Sequence, residues 1–113
     1  MISRDEAALV VVDVQQGFSG YSCFDRVARQ SGKLVAAAEI LALPVIATEQ
    51  YPKGLGPTVP EVGLPEDLTP IAKTVFSACR ADGFNLHGRR QVMVCGIEAH
   101  VCVAQTALDL IEQ

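Results

Sequence analysis

Ala7 to Val14 reads AALVVVDV, an apolar run with a single charge in it, Asp13. Such a run offers no polar face to water. It is the signature of a strand covered on both sides, the situation of a parallel sheet packed between helices. The rest of the chain follows the same plan. Gln15 to Tyr21, with Gly17 and Gly20, reads as a loop. Val27, Leu34, Val35, Ala38 and Leu41 recur at helical spacing, so a helix is predicted over about Ser22 to Leu41. Ser22 and Asp25 form an S-x-x-D capping box at its start. Gly32 inside this helix costs about 1 kcal/mol against alanine. Val45–Thr48 reads as a second strand, and Thr69–Thr74 as a third that carries Lys73 near its end. Ser77 to His87 fits a short helix, Gln91–Cys95 a fourth strand, and Ala99 to Ile111 a last helix. Between the second and third strands, Glu49 to Asp67 is rich in Pro and Gly. A loop of that length is usually functional or mobile. Strands alternating with helices predict an α/β fold, three layers α/β/α with a mainly parallel sheet. Crossovers in such sheets are right-handed, and sites form beyond the carboxyl ends of the strands.

A chain of 113 residues suits a single domain, residues 1–113. Half of its residues are hydrophobic, too many for a disordered segment. The formal net charge is −4 and no basic stripe is present, which argues against nucleic acid as a partner. No apolar run approaches the roughly 18 residues of a membrane span, so no membrane partner is expected. The N-terminus lacks the pattern of a signal peptide, and a cytoplasmic location is the default expectation. Four cysteines, Cys23, Cys79, Cys95 and Cys102, are then expected as reduced thiols. They include no C-x-x-C, and His87 and His100 make no metal-binding pair, so neither a metal nor a cofactor is expected.

Three polar residues fall at or beside strand ends: Asp13, Lys73 and Cys102. A thiol attacks as thiolate, and a free cysteine has a pKa of about 8.5. A helix N-terminus favours the anion, a nearby ammonium favours it further, and a carboxylate can take the thiol proton. The three residues supply these functions, and the turn from Gly96 to Cys102 offers backbone N–H groups to an oxyanion. The expectation is an activated thiol with a lowered pKa. Each residue also has a plainer reading: a small core cysteine, a capping aspartate, a surface lysine. His100 ranks below Asp13 as a base, because residues two apart on a helical turn point in different directions. Cys23, Cys79 and Cys95 read most simply as packing residues.

"ALVVVDVQQGF", "AKTVFSA" and "VCGIEAHVCVAQTALDL" resemble the isochorismatase-like cysteine hydrolases, a Rossmann-like family. "TEQYPKGLGPTVPEV" is similar, more narrowly, to the isochorismatase-domain-containing proteins. The resemblance runs from about Ala7 to Leu110. It implies a hydrolase of a small molecule with an amide-like bond. Asp13 would be the general base, Lys73 would help activate the thiol, and Cys102 would be the nucleophile. The resemblance further implies a cis peptide at Ile97-Glu98 and an oxyanion hole made by the Glu98 and Cys102 N–H groups. Gln15 and Phe18 would line the pocket.

The sequence departs from the family in two ways. Nicotinamidases of this superfamily hold a metal with an Asp and a His just after the second strand; here Gln50 and Pro52 stand there, which argues against a zinc site. Isochorismatases carry an acidic group where Cys102 stands, so isochorismate is not implied as the substrate. The second departure is length: family domains continue for further strands and helices, so the domain is expected to be C-terminally incomplete. That would leave the fourth strand as an uncovered edge. A homo-oligomer is the default expectation for the family. Two other readings compete with a hydrolase: a non-catalytic interaction protein that keeps the fold, and a redox sensor using Cys102 with Cys95.

Overall fold

β1 (Ala7–Val12) is the strand on which the sheet is built, and the computed structural model describes all residues from Met1 to Gln113. All six β1 residues are buried, as the uninterrupted apolar run requires. β1 pairs in parallel with β2 (Val45–Gln50) on one side and with β4 (Gln91–Gly96) on the other. β3 (Ile71–Lys73) adds to β2, giving the order β3-β2-β1-β4. Alternate residues of β1 feed two cores, since successive side chains point to opposite faces. Ala7, Leu9 and Val11 meet Phe24, Ala28, Val35 and Ala38 of helix α1 (Phe24–Ile40). Ala8, Val10 and Val12 meet Ile46, Ala78 and Cys102 on the opposite face, where helix α3 (Ala104–Glu112) lies along β4. The three-layer α/β/α arrangement with a parallel sheet is therefore present.

Several expectations need correction. α1 starts at Phe24, with Cys23 at the cap and no side-chain capping bond, so Ser22 and Asp25 do not act as a capping box. The Glu49–Asp67 segment is not a plain loop. It continues β2 to Gln50, then holds a short helix, α2 (Pro52–Leu55), and a 3₁₀ turn at Pro60–Val62. Glu49 pins it by accepting from the Thr58 amide at 2.7 Å and the Thr58 hydroxyl at 2.8 Å. Val59 and Val62 anchor it in the α1 core. The helix expected over Ser77–His87 is only a 3₁₀ turn at Ala78–Arg80. The chain then turns through Gly83, His87 and Gly88, all at positive φ, which a right-handed helix cannot accommodate. The last helix does not begin as α. Ala99–Val103 form one π-type turn, in which the Val103 amide donates to the Glu98 carbonyl, and α3 continues from Ala104. β4 lies at the sheet edge with every residue half-buried, in contrast to β1. No helix is long and apolar enough to cross a membrane.

Two glycines are dictated by close approach. Gly96, at φ 136°, ends β4 against β1, where an added Cβ would lie 2.0 Å from the Val12 carbonyl oxygen. At Gly32 a Cβ would lie 2.4 Å from the Glu61 carbonyl oxygen, so α1 is pressed onto the Pro60–Val62 turn there. Helix propensity alone favours alanine at this position by about 1 kcal/mol. The contact opposes it by more, because the neighbour is backbone and overpacking costs about 1–3 kcal/mol or more. Gly32→Ala is expected to lower the urea midpoint; a raised midpoint would show that the helix and turn separate freely.

Candidate active site

Asp13 directly follows β1, and its φ of 53° turns the chain out of the strand. Among non-glycine residues, Asp and Asn tolerate this region best. The turn leaves a fully buried carboxylate at the carboxyl edge of the sheet. Such a group is costly without partners. Asp13 Oδ1 accepts from the Thr48 hydroxyl at 2.8 Å, and Oδ2 accepts from Lys73 Nζ at 2.8 Å. Lys73 closes β3 and is itself buried, with no side-chain exposure for either member of the ion pair. Its ammonium also donates to Gln50 Oε1 at 2.7 Å, the Phe76 carbonyl at 2.9 Å and the Val75 carbonyl at 3.1 Å. Cys102 Sγ lies 3.5 Å from the same nitrogen. The ends of β1 and β3 and the turn after β4 thus bring Asp13, Lys73 and Cys102 together.

The thiol itself overturns one expectation. Burial pushes the Cys102 pKa up to about 11, and hydrogen bonding to Asp13 and the negative charge of Asp13 act in the same direction. Lys73 pulls it down, but less, because its charge is matched by Asp13 and its protons are shared with three neutral oxygens. Near neutral pH the sulfur therefore keeps its proton, beside a carboxylate placed to receive it.

The peptide between Ile97 and Glu98 is cis, where the resemblance put it. The Glu98 N–H makes no hydrogen bond within the chain, while its carbonyl accepts from the Val101 and Val103 amides. Gln15 has a different task from the pocket role expected of it. It is fully buried, and its side-chain nitrogen donates to the Gln50 and Gly56 carbonyls, both at 2.9 Å. Its side-chain oxygen accepts from the Gln50 amide at 2.7 Å. Phe18 packs toward the α1 core with its ring 5.7 Å from that of Tyr21. A cavity of about 550 Å³ is lined by Lys73, Tyr51, Lys53 and Arg80, and one of about 220 Å³ by Tyr21, Phe24, Ile97, Glu98 and His100. Cys95 packs on the α1 face and Cys102 on the opposite face, which does not suit a disulfide pair. His100 is exposed. Thr48 was not singled out, and Gln50 was noted only where nicotinamidases hold a metal ligand; their signal was polar side chains near the carboxyl end of a strand.

Comparison with protein families matches residues 7–113 to the isochorismatase domain. The chain belongs to the isochorismatase family. It is 41% identical over 111 residues to human isochorismatase domain-containing protein 2, covering 95% of this chain and 54% of that protein. The bovine protein of the same name is 40% identical over 108 residues, covering 93% and 52%. Among solved structures, the MAR1 ribonuclease from Caenorhabditis elegans superposes with a TM-score of 0.88 at 44% identity, covering 98% of this chain and 60% of that one. YcaC from Pseudomonas aeruginosa, solved with hexane-2,5-diol and covalent acrylamide, gives 0.82 at 27% identity, covering 98% and 60%. This isochorismatase-family chain spans about half the length of the curated relatives it matches.

The buried ion pair generates a stability prediction. Breaking such a pair from one side leaves a bare charge and costs about 3–5 kcal/mol. Lys73→Met should lower stability by about that much in urea unfolding. Adding Asp13→Asn should recover part of the loss, because the orphaned charge is removed while the positive φ is tolerated. A double variant less stable than Lys73→Met would show that the pair is not the governing interaction.

Proposed function

We propose that the chain forms the reacting core of a cysteine-dependent hydrolase acting on a small amide-like substrate. The observation that carries this reading is the buried convergence of Asp13, Lys73 and Cys102 at the carboxyl edge of the sheet. Family membership supports a hydrolase-like fold. The covalent acrylamide on YcaC supports a reactive nucleophile in a relative, since acrylamide is an electrophile that couples to thiols. The net charge of −4 favours a small substrate over the polyanionic backbone of RNA, although one relative is described as a ribonuclease.

The raised thiol pKa sets the order of events. Asp13 takes the proton from Cys102 as the sulfur attacks, so thiolate forms at the moment of use. The S–C bond forms and the carbonyl electrons move onto oxygen. The unpaired Glu98 N–H, together with the Cys102 N–H, serves the oxyanion. Lys73 balances the charge as it moves between carboxylate and sulfur. Asp13 returns the proton to the leaving amine as the C–N bond breaks. Water, deprotonated by Asp13, then adds to the thioester. The acid departs as the S–C bond breaks, and the proton held on Asp13 returns to sulfur. No metal or cofactor enters this scheme, and a homo-oligomer acting on a small-molecule substrate is the assembly we propose.

The two roles of Asp13 separate experimentally. It holds the proton on the resting thiol, and it removes that proton during attack. In the wild type, acrylamide labelling of Cys102 should climb with pH from 7 to 10 without a plateau, given a thiol pKa of about 11. Asp13→Asn should label faster at pH 8, because the negative charge that raises the pKa is gone. The same variant should hydrolyse amide substrates about 100-fold or more slowly, the usual scale for a lost general base. Cys102→Ser should abolish the adduct. Slower labelling by Asp13→Asn, or undiminished hydrolysis, would overturn the assignment.

A further inference from the structure

The ammonium of Lys73 has three protons and five atoms within hydrogen-bonding distance. The nearest is Gln50 Oε1 at 2.7 Å, ahead of Asp13 at 2.8 Å, and the most distant is the Cys102 sulfur at 3.5 Å. Gln50 closes β2, the strand between β1, which Asp13 directly follows, and β3, which Lys73 closes. Its main chain is fixed independently of its side chain, since its amide and carbonyl are both bonded to the Gln15 side chain. The side-chain amide therefore has one evident task, which is to hold the ammonium.

We propose that Gln50 is a positioning residue that occupies one proton of Lys73 and so sets how much of the ammonium is left for the Cys102 sulfur. The inference rests on the reading of Asp13, Lys73 and Cys102 as the reacting set. A neutral amide oxygen suits the role. It competes with the sulfur for a proton without adding charge to the site. A carboxylate in its place would draw the ammonium away, and an apolar group would release it toward sulfur. The charged groups that bear on Cys102 are Asp13 and Lys73. Glu49, next along β2, spends its carboxylate on Thr58 and does not enter the balance.

The test is the rate of acrylamide labelling of Cys102 against pH, read by peptide mass spectrometry, with far-UV circular dichroism as the check on folding. Gln50→Leu and Gln50→Glu both keep the main-chain bonds to Gln15, so both are expected to fold. At pH 8, Gln50→Leu should label about threefold faster or more, and Gln50→Glu about threefold slower or more, each corresponding to about half a pKa unit. A residue that only packs would move both variants in the same direction or neither, and either result overturns the proposal. Asp13→Asn run alongside separates the two levels. If it shifts the profile while the Gln50 variants do not, the inference fails and the hydrolase reading stands. If Asp13→Asn also leaves the profile unchanged, both fail together.

Discussion

The ion pair between Asp13 and Lys73 is the interaction on which the carboxyl edge of this sheet depends. Its members lie at the ends of two strands that do not touch, β1 and β3, with β2 between them. Neither is exposed, so each needs the other, and each needs the neutral groups around them. Thr48 and Gln50, both on β2, bridge the gap by bonding one member each. Gln15 then ties the end of β2 back to the segment after β1. The arrangement converts a desolvation cost into rigidity, because no group in it can rotate without stranding another.

The same pair bears on why the Cys102 sulfur keeps its proton. A cysteine beside a lone ammonium would rest as thiolate and react with passing electrophiles. Here burial opposes that pull most, and the carboxylate adds to the opposition. The π-type turn helps, since it tucks Cys102 under the edge of the sheet and leaves it only 7% exposed.

Much of this was legible in the sequence, and the exceptions have physical reasons. The AALVVVDV run specified a central, doubly covered strand because no residue in it could face water. Asp13, Lys73 and Cys102 stood out as polar groups at strand ends, and they converge. The direction of the thiol pKa was not legible. It depends first on how deeply the sulfur is buried, then on Asp13, and only then on an ammonium that Gln50, Val75 and Phe76 reach through the fold. The helix expected over Ser77–His87 failed for a local reason, positive φ at Gly83, His87 and Gly88. The capping box failed because the pattern S-x-x-D sits one residue too early for a helix capped by Cys23 and starting at Phe24.

The position of β1 in the sheet has a consequence for how the protein is made. β1 is synthesised well before β4, yet β4 is one of its two neighbours, with Ala7 opposite Gln91. Until the ribosome has passed β4, the most apolar strand of the chain has a bare flank. Pairing across so long a stretch is slow, because the loop must close before the contacts compensate for it. Cys102 arrives later still, on the turn after β4. A nascent chain therefore lacks the Asp13–Lys73–Cys102 cluster while it is most prone to clump. The helix α1, complete soon after β1, is the element able to shield one face of that strand in the interval.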